Sequence, residues 1–238
     1  MKSEIPARAT LRRKAARVRD ELVQAYGRPR WGSSLSAVDE LVATILSQNT
    51  SDINSGRAFG LLLERYGSME AVRDADLSEL IATIRPAGLA NQKGPRIQAV
   101  LRAITEARGK LDLKFLRKLP LAEARAWLTQ FNGIGPKTAS IVLLFSLGVP
   151  AFPVDTHVHR VTGRLGLRPE TLSADDSHAW LEQLFVPEAY HDAHINLIRH
   201  GREICHARNP RCAICPLQRV CDDFQRRKLV DAGLPRRT

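Results

Sequence analysis

The chain has 238 residues, a formal net charge of +11 at neutral pH and a sequence pI near 10.1. That length allows one large domain or two small ones, and the charge points to a polyanionic partner, nucleic acid ahead of an anionic membrane surface. Aromatic residues make up only 5%, which argues against the stacking platforms that grip single strands.

Residues 1–19 hold seven bases and one acid with no apolar core, so they do not form a secretory signal. They and residues 226–238, with Asp231 against five bases, read as frayed basic tails. The protein is therefore expected inside the cell, cytoplasmic or, in a bacterium or archaeon, associated with the nucleoid. From residue 36 the apolar spacing is helical nearly throughout. SAVDELVATILSQ (36–48) opens on a Ser36 cap with Asp39 three residues later, and its apolar pairs at 37/38, 41/42 and 45/46 mark a buried face. Residues 51–66 continue to a Gly67 stop, followed by short helices at 68–74 and 76–84 and a longer one from Gln92 to Arg108. Helices at 120–131, 136–148, 156–166, 173–185 and 193–205 complete the set. The longest apolar stretch, residues 141–154, is broken by Gly148, Pro150 and Pro153, too short to span a membrane. No alternating run is bounded by hairpin signals, so the expected class is all-α.

Three stretches carry chemistry. FNGIGPKTAS (131–140) leaves only Asn132, Gly133, Ile134 and Gly135 between two helices. Glycine supplies the required backbone angles, Ile134 pins the turn, and Pro136 suits the first helical position. The free amides of such a turn form an anion site fit for a duplex phosphate, although a tight turn without a ligand reads equally well. The chain has 28 arginines and only 8 lysines, yet Lys137 is a lysine. An amine at a helix N-terminus can be tuned toward neutrality and act as a nucleophile, whereas a guanidinium cannot. PVDTHVHR (153–160) puts Asp155 just before a helix, a capping position. His157 and His159 do not share a helical face, and His191 and His194 lack a clear carboxylate cluster, so packing roles are expected for them. Cys205, Cys212, Cys215 and Cys221 follow a C-x6-C-x2-C-x5-C pattern. Inside a cell they are metal ligands rather than disulfides, for zinc or an iron–sulfur cluster; only Cys212 and Cys215 form the tight pair that zinc sites use twice.

The G-I-G-P-K-T-A stretch resembles the helix-hairpin-helix of base-excision DNA glycosylases, in particular the endonuclease III family. V-D-T-H and the 6-2-5 cysteine spacing resemble that family too, and the likeness runs from about Ser36 to Asp222. It implies an all-α, two-domain fold: a six-helix barrel at 31–150 containing the hairpin at about 120–148, and a cluster domain joining 1–30 to 151–238, with a cleft between them. It implies a bifunctional glycosylase/AP lyase that excises oxidised pyrimidines from duplex DNA, with Lys137 as Schiff-base nucleophile, Asp155 assisting, and a [4Fe–4S] cluster on Cys205, Cys212, Cys215 and Cys221. The implied partner is double-stranded DNA carrying damaged bases or abasic sites, bound by a monomer with no membrane involved. GLANQKG (88–94) matches the loop that inserts a leucine, here Leu89, with Asn91 and Lys93 in register. LSQNTSD (46–52) matches the second gap-filling loop. The family's glutamine falls in register with Asn49, whereas this chain has Gln48 one place earlier, so either side chain is a candidate. Asn132 and Ala90 stand where proline and tyrosine are usual. The rivals are a monofunctional glycosylase, which would lack the lysine, and a non-catalytic helix-hairpin-helix DNA binder.

Overall fold

A computed structural model describes residues 7–30 and 35–231. Among the described residues twelve α-helices succeed one another: α1 Arg8–Tyr26, α2 Ala37–Ser47, α3 Asp52–Tyr66, α4 Met69–Asp74, α5 Leu77–Thr83, α6 Ala90–Arg108, α7 Leu121–Thr129, α8 Pro136–Ile141, α9 Thr156–Arg164, α10 Ala174–Glu182, α11 Tyr190–Glu203 and α12 Asp222–Asp231. No strand occurs among the described residues, and no helix there is long and apolar enough to cross a membrane.

Local signals explain half of these helix starts. Ser36, Ser51, Ser68, Asp76, Asp155 and Ser173 each accept a hydrogen bond from the backbone amide three residues on, satisfying a donor that has no partner inside the helix. Gly67 ends α3 in a left-handed conformation, φ 72°.

The chain divides into two compact units, Ser33–Val149 and Met1–Gly32 with Pro150–Thr238; residues 31–34, where the expected boundary falls, lie outside the described residues. In the unit of residues 33–149, α2 is the central rod. It buries Ala37, Val38, Leu41, Val42, Ile45 and Leu46 against α3, α6 and α8, so its apolar pairs serve several neighbours at once. A ring train leads into the hairpin, with Trp127 edge-on to both Phe115 and Phe131 at 4.9 Å. After Ile141, α8 widens into a π-helical turn over Val142–Ser146, where the sequence spacing predicts α-helix on to residue 148.

In the other unit, α11 packs against α1 and α9. Here the structure corrects the sequence reading. Residues 8–19 are no frayed tail but the first part of α1, with Leu11, Ala15, Val18 and Leu22 buried. That i, i+4, i+7, i+11 stripe is helical, but the arginines between its members mask it in the composition. Likewise α12 carries residues 226–231, with Arg226 bridged to Glu170 at 2.8 Å; residues 1–6 and 232–238 lie outside the described residues.

Candidate functional site

The hairpin between α7 and α8 closes with the Ile134 amide donating to the Phe131 carbonyl at 3.0 Å, and Ile134 is buried. Its two glycines have different reasons. Gly133 sits at φ 84°, the left-handed region that L side chains rarely occupy, and a Cβ there would meet the Arg96 side chain. Gly135 is extended, φ −91° and ψ 176°, with open space where a side chain would go. No side chain caps α8, which begins on Pro136. Lys137, the next residue, is half-buried, while Thr138, Ala139 and Ser140 behind it are buried. One neighbour of this amine escaped the sequence reading. Burial raises the Glu40 carboxyl on α2, opposed by a hydrogen bond from Thr44 and by the positive charge of Lys137. Glu40 was hidden because its link to Lys137 comes from the packing of α2 on α8, 97 residues apart in sequence.

The two predicted DNA-facing loops belong to the same unit. Leu89 and Asn49 are both exposed and both left-handed, at φ 50° and φ 53°, an unfavourable conformation for a leucine. Asn91 is exposed at the start of α6. Gln48 is held: its amide donates to the Gly133 carbonyl at 3.3 Å and its oxygen accepts from Arg96 Nη1 at 3.1 Å. Lys93 departs from expectation. It is 1% exposed, so it does not meet DNA, and its Nζ donates to Leu46 O, Thr50 Oγ1 and Ala87 O at 2.7–2.8 Å. Three neutral acceptors take all three ammonium donors, which compensates the burial of the charge.

Asp155 caps α9, its Oδ1 accepting from the Val158 amide at 2.7 Å. The nearby histidines hold structural bonds. His159 Nε2 donates to Leu172 O at 3.0 Å, His194 Nδ1 donates to Pro153 O at 3.0 Å, and His157 Nδ1 accepts from Arg160 at 3.1 Å.

The four cysteines form no disulfide and line one cavity together with Arg164, Leu165 and His200. Arg164 Nη1 donates to Cys205 Sγ at 3.3 Å, and His200 Nε2 lies 3.6 Å from Cys215 Sγ. Burial pushes the Cys215 thiol up to about 11, with the other three thiols adding to the shift, and also raises Cys221, where Asp223 and then Cys205 add to it. Four half-buried thiolates would repel one another without a cationic centre, and bound iron relieves that repulsion. No three His, Cys, Asp or Glu side chains among the described residues are grouped to hold a metal ion, yet all four cysteines line the same cavity. The donor set fits an iron–sulfur cluster.

Comparison with known proteins agrees with this chemistry. The HhH-GPD superfamily of base excision DNA repair proteins matches residues 42–187, and the iron–sulfur binding domain of endonuclease III matches residues 205–221. The Endonuclease III of Sulfolobus acidocaldarius is 35% identical over 192 residues, 80% of this chain and 83% of that one. The chain belongs to the endonuclease III family of the HhH-GPD superfamily.

Within that family it is a base excision repair enzyme, a DNA glycosylase/AP lyase with DNA as partner and an iron–sulfur cluster as cofactor. A putative DNA glycosylase of Arabidopsis thaliana, At3g47830, is 38% identical over 170 residues; the alignment covers 71% of this chain and 58% of that protein's length. A trapped Endonuclease III–DNA covalent intermediate superposes with a TM-score of 0.78 at 28% identity, covering 91% of this chain and 98% of that one.

Proposed function

We propose that the enzyme excises oxidised pyrimidines from duplex DNA and then nicks the strand through a Schiff base on Lys137. The observation that carries this reading is the place of Lys137, an amine on the first turn of α8 directly behind the glycine hairpin. The uncapped start of α8 and the open side of Gly135 support a backbone grip on a duplex phosphate. In the reaction, the neutral amine attacks C1′ of the damaged nucleotide. The C1′–N bond breaks, the base leaves with its electron pair, and a proton is delivered to it. Asp155 is assigned that proton transfer and the stabilisation of the cationic sugar. The attached amine gives up a proton and the C1′–O4′ bond breaks as O4′ takes one, which opens the sugar to the Schiff-base iminium; loss of a C2′ proton from the iminium then breaks the C3′–O bond, and the phosphate leaves with that electron pair, which nicks the strand. Leu89 and Asn49, exposed on their loops, are assigned to the space the flipped nucleotide leaves.

The cluster, held by Cys205, Cys212, Cys215 and Cys221, supplies a structural cross-link to the loop that bears them. Arg208, Arg211 and Arg219 on that loop carry positive charge for DNA phosphates. The enzyme acts as a monomer in the cytoplasm or on the nucleoid. Borohydride reduction of the enzyme on duplex DNA with an oxidised pyrimidine is expected to trap a covalent adduct that Lys137→Ala abolishes. An undiminished adduct in the variant overturns the assignment.

A further inference from the structure

Lys93 is among the largest almost wholly buried side chains of the described residues, and it is charged. Its three hydrogen bonds end on three different segments: Leu46 at the end of α2, Thr50 in the loop that carries Asn49, and Ala87 in the 3-10 turn that leads to Leu89. The Thr50 hydroxyl, while accepting from Lys93, donates to the Ala87 carbonyl. One amine and one hydroxyl thus tie together the loops whose exposed tips are Asn49 and Leu89. Both tips have left-handed backbones without being glycine; asparagine visits that conformation readily, but for Leu89 it persists only where the surroundings impose it. A second tie runs from the same loop to the hairpin, since Gln48 bonds Gly133 O and Arg96 Nη1.

We propose that Lys93 is a positioning residue, a buried brace that fixes Asn49 and Leu89 as one preformed blade for the duplex, with Gln48 spent on anchoring the blade to the hairpin. The damaged nucleotide is extruded against two tips already in place, so the enzyme does not have to order them on the DNA. Asn49 rather than Gln48 fills the vacated stack, because only Asn49 is free to do so. Removal of the ammonium loosens both tips and leaves Lys137 and its helix intact. Burial lowers the pKa of Lys93, and its work requires only donation, which a neutral amine also provides in part.

This inference rests on the glycosylase/lyase reading, and the test separates the two. Full-length, cluster-loaded enzyme and its Lys93→Met and Thr50→Val variants are assayed in single turnover on two substrates. One is a duplex with a paired oxidised pyrimidine, the other a single-stranded abasic oligonucleotide whose sugar needs no extrusion. The variants are expected to lose about tenfold or more on the duplex and to stay within about twofold on the single strand. Thr50→Val removes only the half-buried hydroxyl, so it carries the test if Lys93→Met does not fold. Equal losses on both substrates, or no loss on the duplex, overturn the brace. A wild-type enzyme inactive on both substrates overturns the glycosylase/lyase reading, and the brace with it. Asn49→Ala is expected to weaken duplex excision with the same substrate bias, and an Asn49→Ala variant as active as wild type on the duplex overturns its gap-filling role.

Discussion

The Asp155 carboxylate accepts a 2.7 Å hydrogen bond from the Val158 amide and so caps α9. The same side chain is assigned a proton-transfer role, and the two roles separate by substitution. Asp155→Asn keeps an oxygen for the cap but loses the charge, whereas Asp155→Ala loses both. Asp155→Asn is expected to melt close to wild type while excision falls. Asp155→Ala is expected to lose about 1 kcal/mol of stability in addition. Thermal melts run beside the excision assay check this; an Asp155→Asn enzyme with full activity leaves Asp155 only its cap.

The hairpin glycines answer differently to alanine. Gly133→Ala forces a side chain onto φ 84° and against Arg96, for an expected loss of roughly 1–2 kcal/mol. Gly135 is extended and faces open space, so Gly135→Ala is expected to leave the melt unchanged. A methyl group there is expected to obstruct the proposed phosphate contact, so that duplex affinity falls. Denaturant titration and a binding isotherm at fixed salt distinguish the two; a Gly135→Ala protein with unchanged affinity removes the phosphate from the hairpin.

Glu40 provides a dependence on pH. Its carboxyl is raised, by burial first, and pulled back by Thr44 and Lys137. A raised folded pKa means that the folded protein holds this proton more tightly than the unfolded chain. The associated stability is complete below the unfolded value and is lost as pH rises through the folded one. Glu40→Gln, neutral throughout, is therefore expected to melt above wild type at about pH 8 and to lose that advantage near pH 4. Removal of a negative neighbour also eases deprotonation of Lys137, so the pH profile of borohydride trapping should move to lower pH. A profile that moves upward contradicts this electrostatic link.

Cys212→Ser removes one sulfur from the shared cavity. The variant is expected to lose the broad visible absorbance of the cluster and to melt lower than the loaded wild type, with iron and acid-labile sulfide assays alongside. Retention of full absorbance and iron content would take Cys212 out of the ligand set.

Leu11 tests the first helix. It is 2% exposed on the face of α1, and α1 packs on α11. Leu11→Ala is expected to cost about 2–5 kcal/mol, read by urea titration of the whole chain. A basic tail would show no change.

The amino-acid sequence by itself determined what is local. Ser36, Ser51, Ser68, Asp76 and Ser173 sit three residues from the amides they cap, the hairpin lies within residues 131–137, and the cysteines span residues 205–221, so neighbours along the chain suffice. Tertiary structure decided what depends on distant partners. Leu11 and Val18 look like spacers among arginines until α11 covers them, which turns a basic segment into a buried helix face. Lys93 looks like a DNA contact by register, but its direction is set by acceptors at Leu46, Thr50 and Ala87. Gln48 and Asn49 are adjacent in sequence, and only the carbonyl of Gly133 and the guanidinium of Arg96 decide which is held and which is free. A side chain's type fixes which bonds it can make; the packing of remote segments fixes which of them it does make.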